Sequence, residues 1–243
     1  MKVIALIPAR YAASRFPAKL MSDLCGKPVI VRTYLSTLAT GVFDKVMVVT
    51  DHRDIADQIT AIGGDVYFSH FPHESGSDRI AEAARNMEGD IFVNVQGDEP
   101  FQDTRSLADL VAAFKSPEVK VASLMSCFTP VDGSVNSNIV KVVVDKNDYA
   151  LYFSRSEIPF FRNTAVTRKA YRHIGVYAYR KETLLTFTQM DKTYLEEAEM
   201  LEQLRLLENG IRIKMVETQH EAIAIDTPED LQKAIHYFQK LNE

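Results

Sequence analysis

The segment VIALIPARYAASRFPAK, residues 3–19, joins a short apolar run to a positively charged loop. Its first five residues are all apolar, which is typical of a strand buried on both faces. Similar runs recur at residues 45–50 (KVMVVT), 65–69 and 90–95 (DIFVNV). Helical spacing lies between them, at residues 28–39, 54–62 and 77–87. This alternation predicts an α/β sandwich whose sheet is mostly parallel.

The middle of the chain is richer in strands. Strand-like segments are predicted at residues 119–127, 139–145, 150–156 and 173–180, with KND (residues 146–148) as a hairpin turn. Residues 194–208 are predicted to form one helix that Asn209-Gly210 closes, and residues 211–216 a strand. We therefore predict a single domain, residues 1–243, that carries a strand-rich lobe at about residues 128–210.

The last part of the chain has a clear helix start. TPED, residues 227–230, offers an N-cap, a proline in the first turn and a capping acid. The apolar residues 223–225 before it are interpreted as a strand end. In the predicted helix at residues 194–208, a rotation of 100° per residue places four apolar side chains in one stripe: Met200, Leu201, Leu204 and Leu207. Gln203 lies at the border of this stripe.

Composition excludes several classes of protein. With 46% hydrophobic and 25% charged residues, the 243-residue chain is neither disordered nor a small disulfide scaffold. A formal net charge of −5 argues against sequence-independent binding of nucleic acid. The two cysteines form no CxxC pattern, no run is long enough to span a membrane, and the apolar start is too short for an export signal. We expect a cytoplasmic protein without membrane insertion.

The loop after the first strand is cationic. Arg10, Arg15 and Lys19 fall within ten residues, and residues 1–20 contain no Asp or Glu. Ligands of such sheets gather at the carboxyl ends of the strands, so these cations are placed to hold a polyphosphate. An ordinary solvated basic loop is the alternative.

Two carboxylates are candidates for a metal site. Asp98, in NVQGDEP, follows one predicted strand, and Asp226 follows another. At one edge of the sheet they would converge on a single Mg²⁺, which prefers carboxylate and phosphate oxygens. As alternatives, Asp98 belongs to a turn, and Asp226 or Thr227 caps the last helix.

The segment HESGSDR, residues 73–79, precedes a predicted helix. Its small residues Ser75, Gly76 and Ser77 leave backbone amides accessible to a nucleotide, although Ser75 or Ser77 could instead be a helix cap. The histidines do not cluster as metal ligands, and His52 and His73 are interpreted as surface or structural residues. The chain lacks GxGxxG after the first strand and lacks a nucleophile elbow, so neither dinucleotide binding nor covalent catalysis is predicted.

Seven segments occur in one order along the chain: PARYAASRFPAK, HESGSDR, NVQGDEP, YFSRSEIPF, RHIGVYAYR, EMLEQLRLLENG and IDTPEDL. Together they resemble the 3-deoxy-manno-octulosonate cytidylyltransferase family, from residue 3 to about residue 231. The opening loop alone would indicate only a sugar nucleotidyltransferase. The combination with YFSR, HIGVYAY and LEQLR is far more specific.

The resemblance implies a Rossmann-like nucleotidyltransferase three-layer sandwich with a smaller lobe for sugar binding and homodimerisation. It implies a Mg²⁺-dependent reaction that joins CTP to the eight-carbon acid sugar KDO, giving CMP-KDO and pyrophosphate for lipopolysaccharide synthesis. Lys19, Arg15 and Asp98 would be catalytic. The nucleotide would be bound by Arg10, Arg15, Lys19, Ser75, Gly76, Arg79 and Gln96, and Mg²⁺ by Asp98 and Asp226. The sugar acid would contact Arg155, His173, Tyr177, Glu202 and Gln203.

Two departures from the family pattern leave the exact sugar open. Ala18 stands where the family usually has glycine, and alanine is strained if that position needs a positive φ. Residues 159–173, which border the implied sugar site, are short for the family. A cytidylyltransferase for 8-amino-KDO or a sialic acid, another sugar nucleotidyltransferase, and a catalytically silent nucleotide-binding homologue remain as alternatives.

Overall fold

The computed structural model describes residues 1–11, 16–129, 136–163 and 165–241. They form two compact units, one made of Met1–Leu107 with Ala222–Glu243 and one made of Ala108–Glu221. The predicted lobe at about residues 128–210 falls within the second unit. Its separate role in sugar binding and dimerisation stays a prediction.

Four parallel strands form the sheet of the first unit. In chain order they are β1 Val3–Ala9, β2 Lys45–Thr50, β3 Asp65–Phe68 and β4 Ile91–Asn94. Their order across the sheet is β3-β2-β1-β4. All four confirm predicted strands, and β1 is buried at nearly every position, so both of its faces are covered. Each buried Ile or Leu side chain stabilises the fold by about 1.5–3 kcal/mol.

Helices pack against these strands. They are α1 Val29–Ala39, α2 Arg53–Ala61 and α3 Gly76–Arg85, which confirm the three predicted helices. The first unit also contains α8 Pro228–Leu241. Helix α4, Thr104–Ala112, was not predicted. Within the described ranges, none of the helices has the length and apolar character that a bilayer crossing demands.

The second unit has five strands: β5 Val121–Phe128, β6 Lys141–Val144, β7 Ala150–Ser154, β8 Ala170–Arg180 and β9 Ile213–Glu217. Strand β5 pairs antiparallel with β8 and parallel with β9, while β6 pairs antiparallel with β7 and β8. The hairpin turn between β6 and β7 is confirmed, with Asp148 at φ 56°. Helix α5, Lys181–Phe187, was not predicted.

The prediction of one helix over residues 194–208 is wrong. Two short helices, α6 Tyr194–Glu199 and α7 Leu204–Glu208, are separated by residues 200–203, the first of which, Met200, has a φ of 54°. A left-handed residue ends the helical repeat, so residues after it no longer keep the phase of those before it. Met200 is therefore 78% exposed instead of lying in an apolar stripe, whereas Leu204 is fully buried.

The predicted strand end at residues 223–225 is also wrong, because this segment is irregular and carries Asp226 on a loop. It is nevertheless attached to the sheet edge, since the amide of Ile225 donates to the carbonyl of Asp98 at 2.9 Å. The predicted helix start is confirmed. Thr227 Oγ1 accepts from the amide of Asp230 at 3.2 Å, so Thr227 rather than Asp226 is the cap.

Candidate functional site

A cavity of about 210 Å³ lies in the first unit at the carboxyl edge of its sheet. It is lined by seven of the residues singled out from the sequence: Arg10, Lys19, Ser75, Gly76, Arg79, Gln96 and Asp98. Arg15, the remaining predicted phosphate ligand, lies outside the described residues. Three separate motifs of the sequence thus meet around one space.

The topology explains why these motifs meet. Strands β1 and β4 are parallel neighbours, with Leu6 opposite Asn94, so the loops that follow them leave the same edge of the sheet. One loop carries Arg10 and Lys19, and the other carries Asp98. Helix α3 adds its first turn to the same cavity.

Lys19 connects the two predicted metal ligands. Its ammonium donates to Oδ1 of Asp226 at 2.9 Å and also forms an ion pair with Asp98. Burial by itself lowers the pKa of Lys19, but the charge and hydrogen bond of Asp98, followed by those of Asp226, raise it above its usual 10.5. Two carboxylates that reach the same ammonium are close enough to share one cation.

Ala18 adopts the strained backbone that its position in the loop required. Its φ is 53° and its ψ is 26°, in the left-handed region, immediately before the short 3-10 turn Lys19–Met21. A left-handed residue with a side chain costs about 1–2 kcal/mol. The turn is closed by the amide of Met21, which donates to the carbonyl of Ala18 at 2.8 Å. The strain is therefore located at the residue that sets the direction of Lys19.

The predicted helix cap in the HESGSDR segment is confirmed, and nucleotide binding there stays a prediction. Ser75 caps helix α3, since its Oγ accepts from the amide of Asp78 at 3.1 Å, and it also lines the cavity. Gly76 is in close contact with the end of strand β1, because a Cβ there would lie 3.2 Å from Cγ of Pro8. The amino end of the helix is thus held near the loop that follows β1, and a helix amino end favours an anion.

His73 was interpreted from the sequence as a surface or structural residue, and its place in the cavity wall was not predicted. It lines the cavity, and its Nε2 lies 2.6 Å from Oε2 of Glu82. Burial by itself raises the pKa of Glu82, but hydrogen bonds from Ser69, His73 and the amide of His70 outweigh it and lower that pKa to about 2. The only sequence signal for His73 was its place two residues before the cap of α3.

Glu99 is linked electrostatically to the same carboxylates. Burial, followed by the negative charges of Asp98 and Asp226, raises the pKa of Glu99 to about 8. The side chain is therefore mostly protonated at neutral pH, which limits the negative charge that Asp98 and Asp226 experience. Glu99 adjoins Asp98 in sequence, but consecutive residues need not face the same site, so its role was left open.

The second unit contains a buried polar cluster made of predicted sugar ligands. His173 contacts Oγ of Ser123 at 3.0 Å, and its ring lies 5.2 Å from that of Tyr177. Burial lowers the pKa of His173 to about 3. The pKa of Tyr177 is raised by burial and by the charges of Tyr179 and Glu202, which places Glu202 near this phenol.

Two buried atoms of this cluster lack an internal partner. They are Oη of Tyr177 and Nε2 of Gln203, which make no hydrogen bond of ordinary geometry within the described part of the chain. Ser123 lies close to Oη of Tyr177. Buried polar atoms are nearly always paired, so such atoms indicate a place for a ligand or water. Gln203 immediately precedes helix α7, and this burial was not expected from the helical repeat.

Arg155 has a structural role that was not predicted. Its guanidinium donates to the carbonyls of Glu199 at 2.8 Å, of Ser137 at 3.0 Å and of Met200 at 3.2 Å. It therefore stabilises the carboxyl end of helix α6. Because Nη1 and Nη2 carry two hydrogens each, donors remain for a carboxylate, and sugar binding by Arg155 stays a prediction.

One edge of the parallel sheet carries a cationic loop, the amino end of a helix and two carboxylates bridged by a lysine. These features define the class of protein: this is a nucleotidyltransferase. Residues 4–213 match the model of the cytidylyltransferase family. The chain belongs to the cytidylyltransferase family.

The relatives within that family share one name. The chain is 54% identical over 237 residues to the 3-deoxy-manno-octulosonate cytidylyltransferase of Flavobacterium johnsoniae, covering 96% of this chain and 97% of that protein. It is 52% identical to the enzyme of the same name from Christiangramia forsetii, with 96% and 95% covered. The resemblance drawn from the seven segments is confirmed.

Solved structures agree. The structure of CMP:2-keto-3-deoxy-manno-octonic acid synthetase complexed with CTP superposes with a TM-score of 0.94 at 37% identity, covering 99% of this chain and 100% of that one. The 4-diphosphocytidyl-2C-methyl-D-erythritol synthase of Anaerococcus prevotii shares only the fold, with a TM-score of 0.65 at 16% identity and with 98% and 99% covered. Membership of this class of nucleotidyltransferase indicates that the reaction requires a divalent metal ion.

Proposed function

We propose that this chain transfers the cytidylyl group of CTP to KDO, forming CMP-KDO and pyrophosphate. The observation that carries the proposal is the cavity in which Lys19, Arg79 and Asp98 meet, in a chain that superposes on a CTP-bound relative with a TM-score of 0.94. By the resemblance, the product supplies lipopolysaccharide synthesis.

The cations of the first loop bind the phosphates in this proposal. Arg10 and Lys19 line the cavity, and Arg15 belongs to the same loop by sequence. Arginine supports bidentate contacts with phosphate, while lysine acts as a mobile point charge. Lys19 is placed to offset charge that develops on the leaving pyrophosphate, because its ammonium lies in the cavity beside the carboxylates of Asp98 and Asp226.

Asp98 and Asp226 would hold a divalent cation, for which we propose Mg²⁺. The residues fit, since both carboxylates lie within reach of one ammonium group and carboxylate oxygens are preferred Mg²⁺ ligands. When bound, Mg²⁺ supplies neutralisation of phosphate charge. With the carboxylates holding the metal, Lys19 would donate to phosphate oxygens instead.

The sugar is bound by the polar cluster of the second unit. The buried donors and acceptors of Tyr177 and Gln203, which have no partner among the described residues, suit the hydroxyl groups of a sugar. His173, held by Ser123, and Glu202 add further hydrogen-bonding groups. Arg155 would bind the carboxylate of the sugar acid through the donors it has left.

The chemistry needs no protein nucleophile. The anomeric 2-hydroxyl oxygen of KDO forms a bond to the α-phosphorus of CTP, the bond from that phosphorus to the bridging oxygen breaks, and the hydroxyl proton is lost to solvent. The protein contributes positioning and charge stabilisation. One well-placed donor in such a site is worth about 2.7–4 kcal/mol of transition-state stabilisation.

A matrix of substrates tests the proposal. Pyrophosphate release is measured for CTP, UTP, dTTP and ATP, each with KDO, 8-amino-KDO, sialic acid or no sugar. We expect release with CTP and KDO, and a D98N variant should be nearly silent. Faster release with another sugar would reassign the substrate. Thermal stabilisation by CTP without any release would instead identify a silent nucleotide-binding homologue.

Homodimerisation and a cytoplasmic location belong to the same proposal. The second unit exposes large apolar side chains, including Leu151, Tyr194 and Met200, which is the character of a protein interface. Both cysteines of the chain are free, in agreement with a reducing compartment. Sedimentation equilibrium at micromolar concentration should give twice the mass of the chain, and a monomer would contradict the dimer.

A further inference from the structure

Arg79 is a buried cation with an unusual set of partners. It lies in the first turns of α3, is 5% exposed and lines the cavity. Its Nη2 donates to Oδ2 of Asp51 at 2.9 Å. Its Nη1 is buried as well, and among the residues that the structure describes it has no hydrogen-bond partner.

Such an atom indicates a ligand. A buried donor without an acceptor costs about 1–3 kcal/mol, and more when the group is charged. Because Arg79 lines the cavity, an acceptor atom of a molecule bound there would remove this cost. The structure therefore leaves one donor of Arg79 for the substrate, at a place where no protein group competes for it among the described residues.

Asp51 fixes the direction of that donor. It follows directly after strand β2, and the next residue, His52, is held on both sides. The amide of His52 donates to Oγ1 of Thr50 at 3.2 Å, and its ring stacks on Tyr11 with centroids 3.8 Å apart. The guanidinium is planar and rigid, so holding Nη2 determines where Nη1 lies.

We propose that Asp51 is a positioning residue for recognition of the cytosine base: it holds Arg79 so that Nη1 donates to the acceptor edge of cytosine. The inference rests on the proposed function and names a residue that sets its nucleotide selectivity. Phosphate has its own cations in the first loop, Arg10 and Lys19. Arg79 lies on a different element and is left for another part of the nucleotide.

Cytosine offers the chemistry that a fixed donor needs. Its O2 and N3 are neighbouring acceptors, whereas N3 of uracil carries a hydrogen and would face the donor of Arg79. A site built around a fixed hydrogen bond discriminates strongly against an analogue that leaves its buried group unpaired. Selectivity for CTP over UTP should therefore depend on Asp51, although Asp51 need not touch the nucleotide.

The test compares D51A with wild type in direct binding of CTP and of UTP by calorimetry, without sugar. We expect D51A to bind CTP about 10-fold more weakly, which corresponds to about 1.4 kcal/mol, with UTP affinity nearly unchanged. In turnover, KM for CTP should rise without a matching fall in kcat, and KM for KDO should stay constant. D51N, which keeps an acceptor oxygen, should restore part of the selectivity.

A matched control is D65N. Asp65 pairs with Lys45 at 3.4 Å on neighbouring strands, and both side chains are exposed, so its loss should leave CTP and UTP binding unchanged. If D51A does not fold, R79K serves instead, because lysine retains the charge but cannot bridge Asp51 and the base at once. R79K should show the same loss of selectivity.

Equal loss of CTP and UTP affinity would show that Arg79 holds a phosphate or the ribose, and would overturn the inference. So would unchanged selectivity in both D51A and R79K. The proposed function fails in a different way. If D51A loses the selectivity of the wild type for CTP but the wild type forms no CMP-KDO, only the proposed reaction is refuted. If the wild type forms CMP-KDO and D51A keeps the same nucleotide selectivity, only the positioning role of Asp51 is refuted.

Discussion

The ammonium of Lys19 lies 2.9 Å from Oδ1 of Asp226, a residue 207 positions further along the chain, and it pairs at the same time with Asp98. One cation thus joins the loop after β1, the loop after β4 and the segment before the last helix. In the proposed reaction Lys19 binds the nucleotide and the two carboxylates bind the metal, so both would be held at this cluster.

The first prediction concerns this cluster. Lys19→Ala and Asp98→Asn should each lower kcat about 10²–10³-fold, because each removes charge stabilisation that the transition state requires. Pyrophosphate release under saturating CTP and KDO measures the effect, and circular dichroism checks that the fold is retained. Lys45→Ala, which removes an exposed ion pair with Asp65, is the control. Normal turnover of Asp98→Asn at limiting Mg²⁺ would make the metal assignment wrong.

Ala18→Gly should stabilise the protein. Glycine relieves a left-handed backbone that costs about 1–2 kcal/mol, and it loses about 0.5–1 kcal/mol in chain entropy, so a net gain of up to about 1 kcal/mol is expected. Urea unfolding measures it. Ala56→Gly, inside helix α2, should instead destabilise by about 1 kcal/mol. A loss of stability in Ala18→Gly would show that the φ of 53° carries no strain.

Tyr177→Phe separates sugar binding from folding. The phenol oxygen is buried without an ordinary hydrogen bond within the described residues, so its removal should leave the free energy of unfolding unchanged or slightly raised. KM for KDO should rise about 10-fold, or about 1.4 kcal/mol, since a sugar hydroxyl loses its partner. Tyr34→Phe is the control with the opposite expectation. Tyr34 Oη accepts from the amide of Asp65 at 3.3 Å, so this variant should lose stability while KM for KDO is unchanged. Unaltered KM in Tyr177→Phe would remove Tyr177 from the sugar site.

Arg155→Ala should raise KM for KDO while CTP binding is unchanged. The structure adds a second expectation, because the same guanidinium holds the carbonyls of Glu199 and Met200. Stability should therefore fall by about 1–3 kcal/mol as those acceptors lose their partner. Kinetics with each substrate varied in turn, together with urea unfolding, separate the two effects. Equal damage to both substrates would place Arg155 outside the sugar site.

His173 should make stability depend on pH. Burial lowers its pKa in the folded protein to about 3, against 6.5 in the unfolded chain, so the unfolded state binds the proton more tightly. The stability contributed by the neutral ring is complete above about pH 6.5 and is lost as the pH falls toward 3. Unfolding measured between pH 7 and 4 should show a shallower dependence in His173→Gln than in wild type. Identical slopes would show that His173 is not buried as a neutral group.

Periodicity predicted most of the fold because strands and helix caps depend on neighbours in sequence. The strand at residues 45–50 agrees at both ends with β2, and Thr227 caps α8 as its motif indicates. Periodicity could not detect the break at Met200, where a single left-handed residue interrupts a continuous helical pattern. It also predicted a strand at residues 223–225, directly before Asp226, because an apolar segment held by one backbone hydrogen bond resembles a strand in composition.

The sequence by itself determined the parallel α/β sheet, the cationic loop and the carboxylates at the ends of its connections, because these follow from local patterns and from the direction of the strands. Only the tertiary structure decided the partners of those groups. The link between Arg79 and Asp51, the support of His73 by Glu82 and the bridge from Lys19 to Asp226 span 28, 9 and 207 residues. Such contacts depend on how loops and helix ends are packed together, and no local repeat in the sequence records that packing.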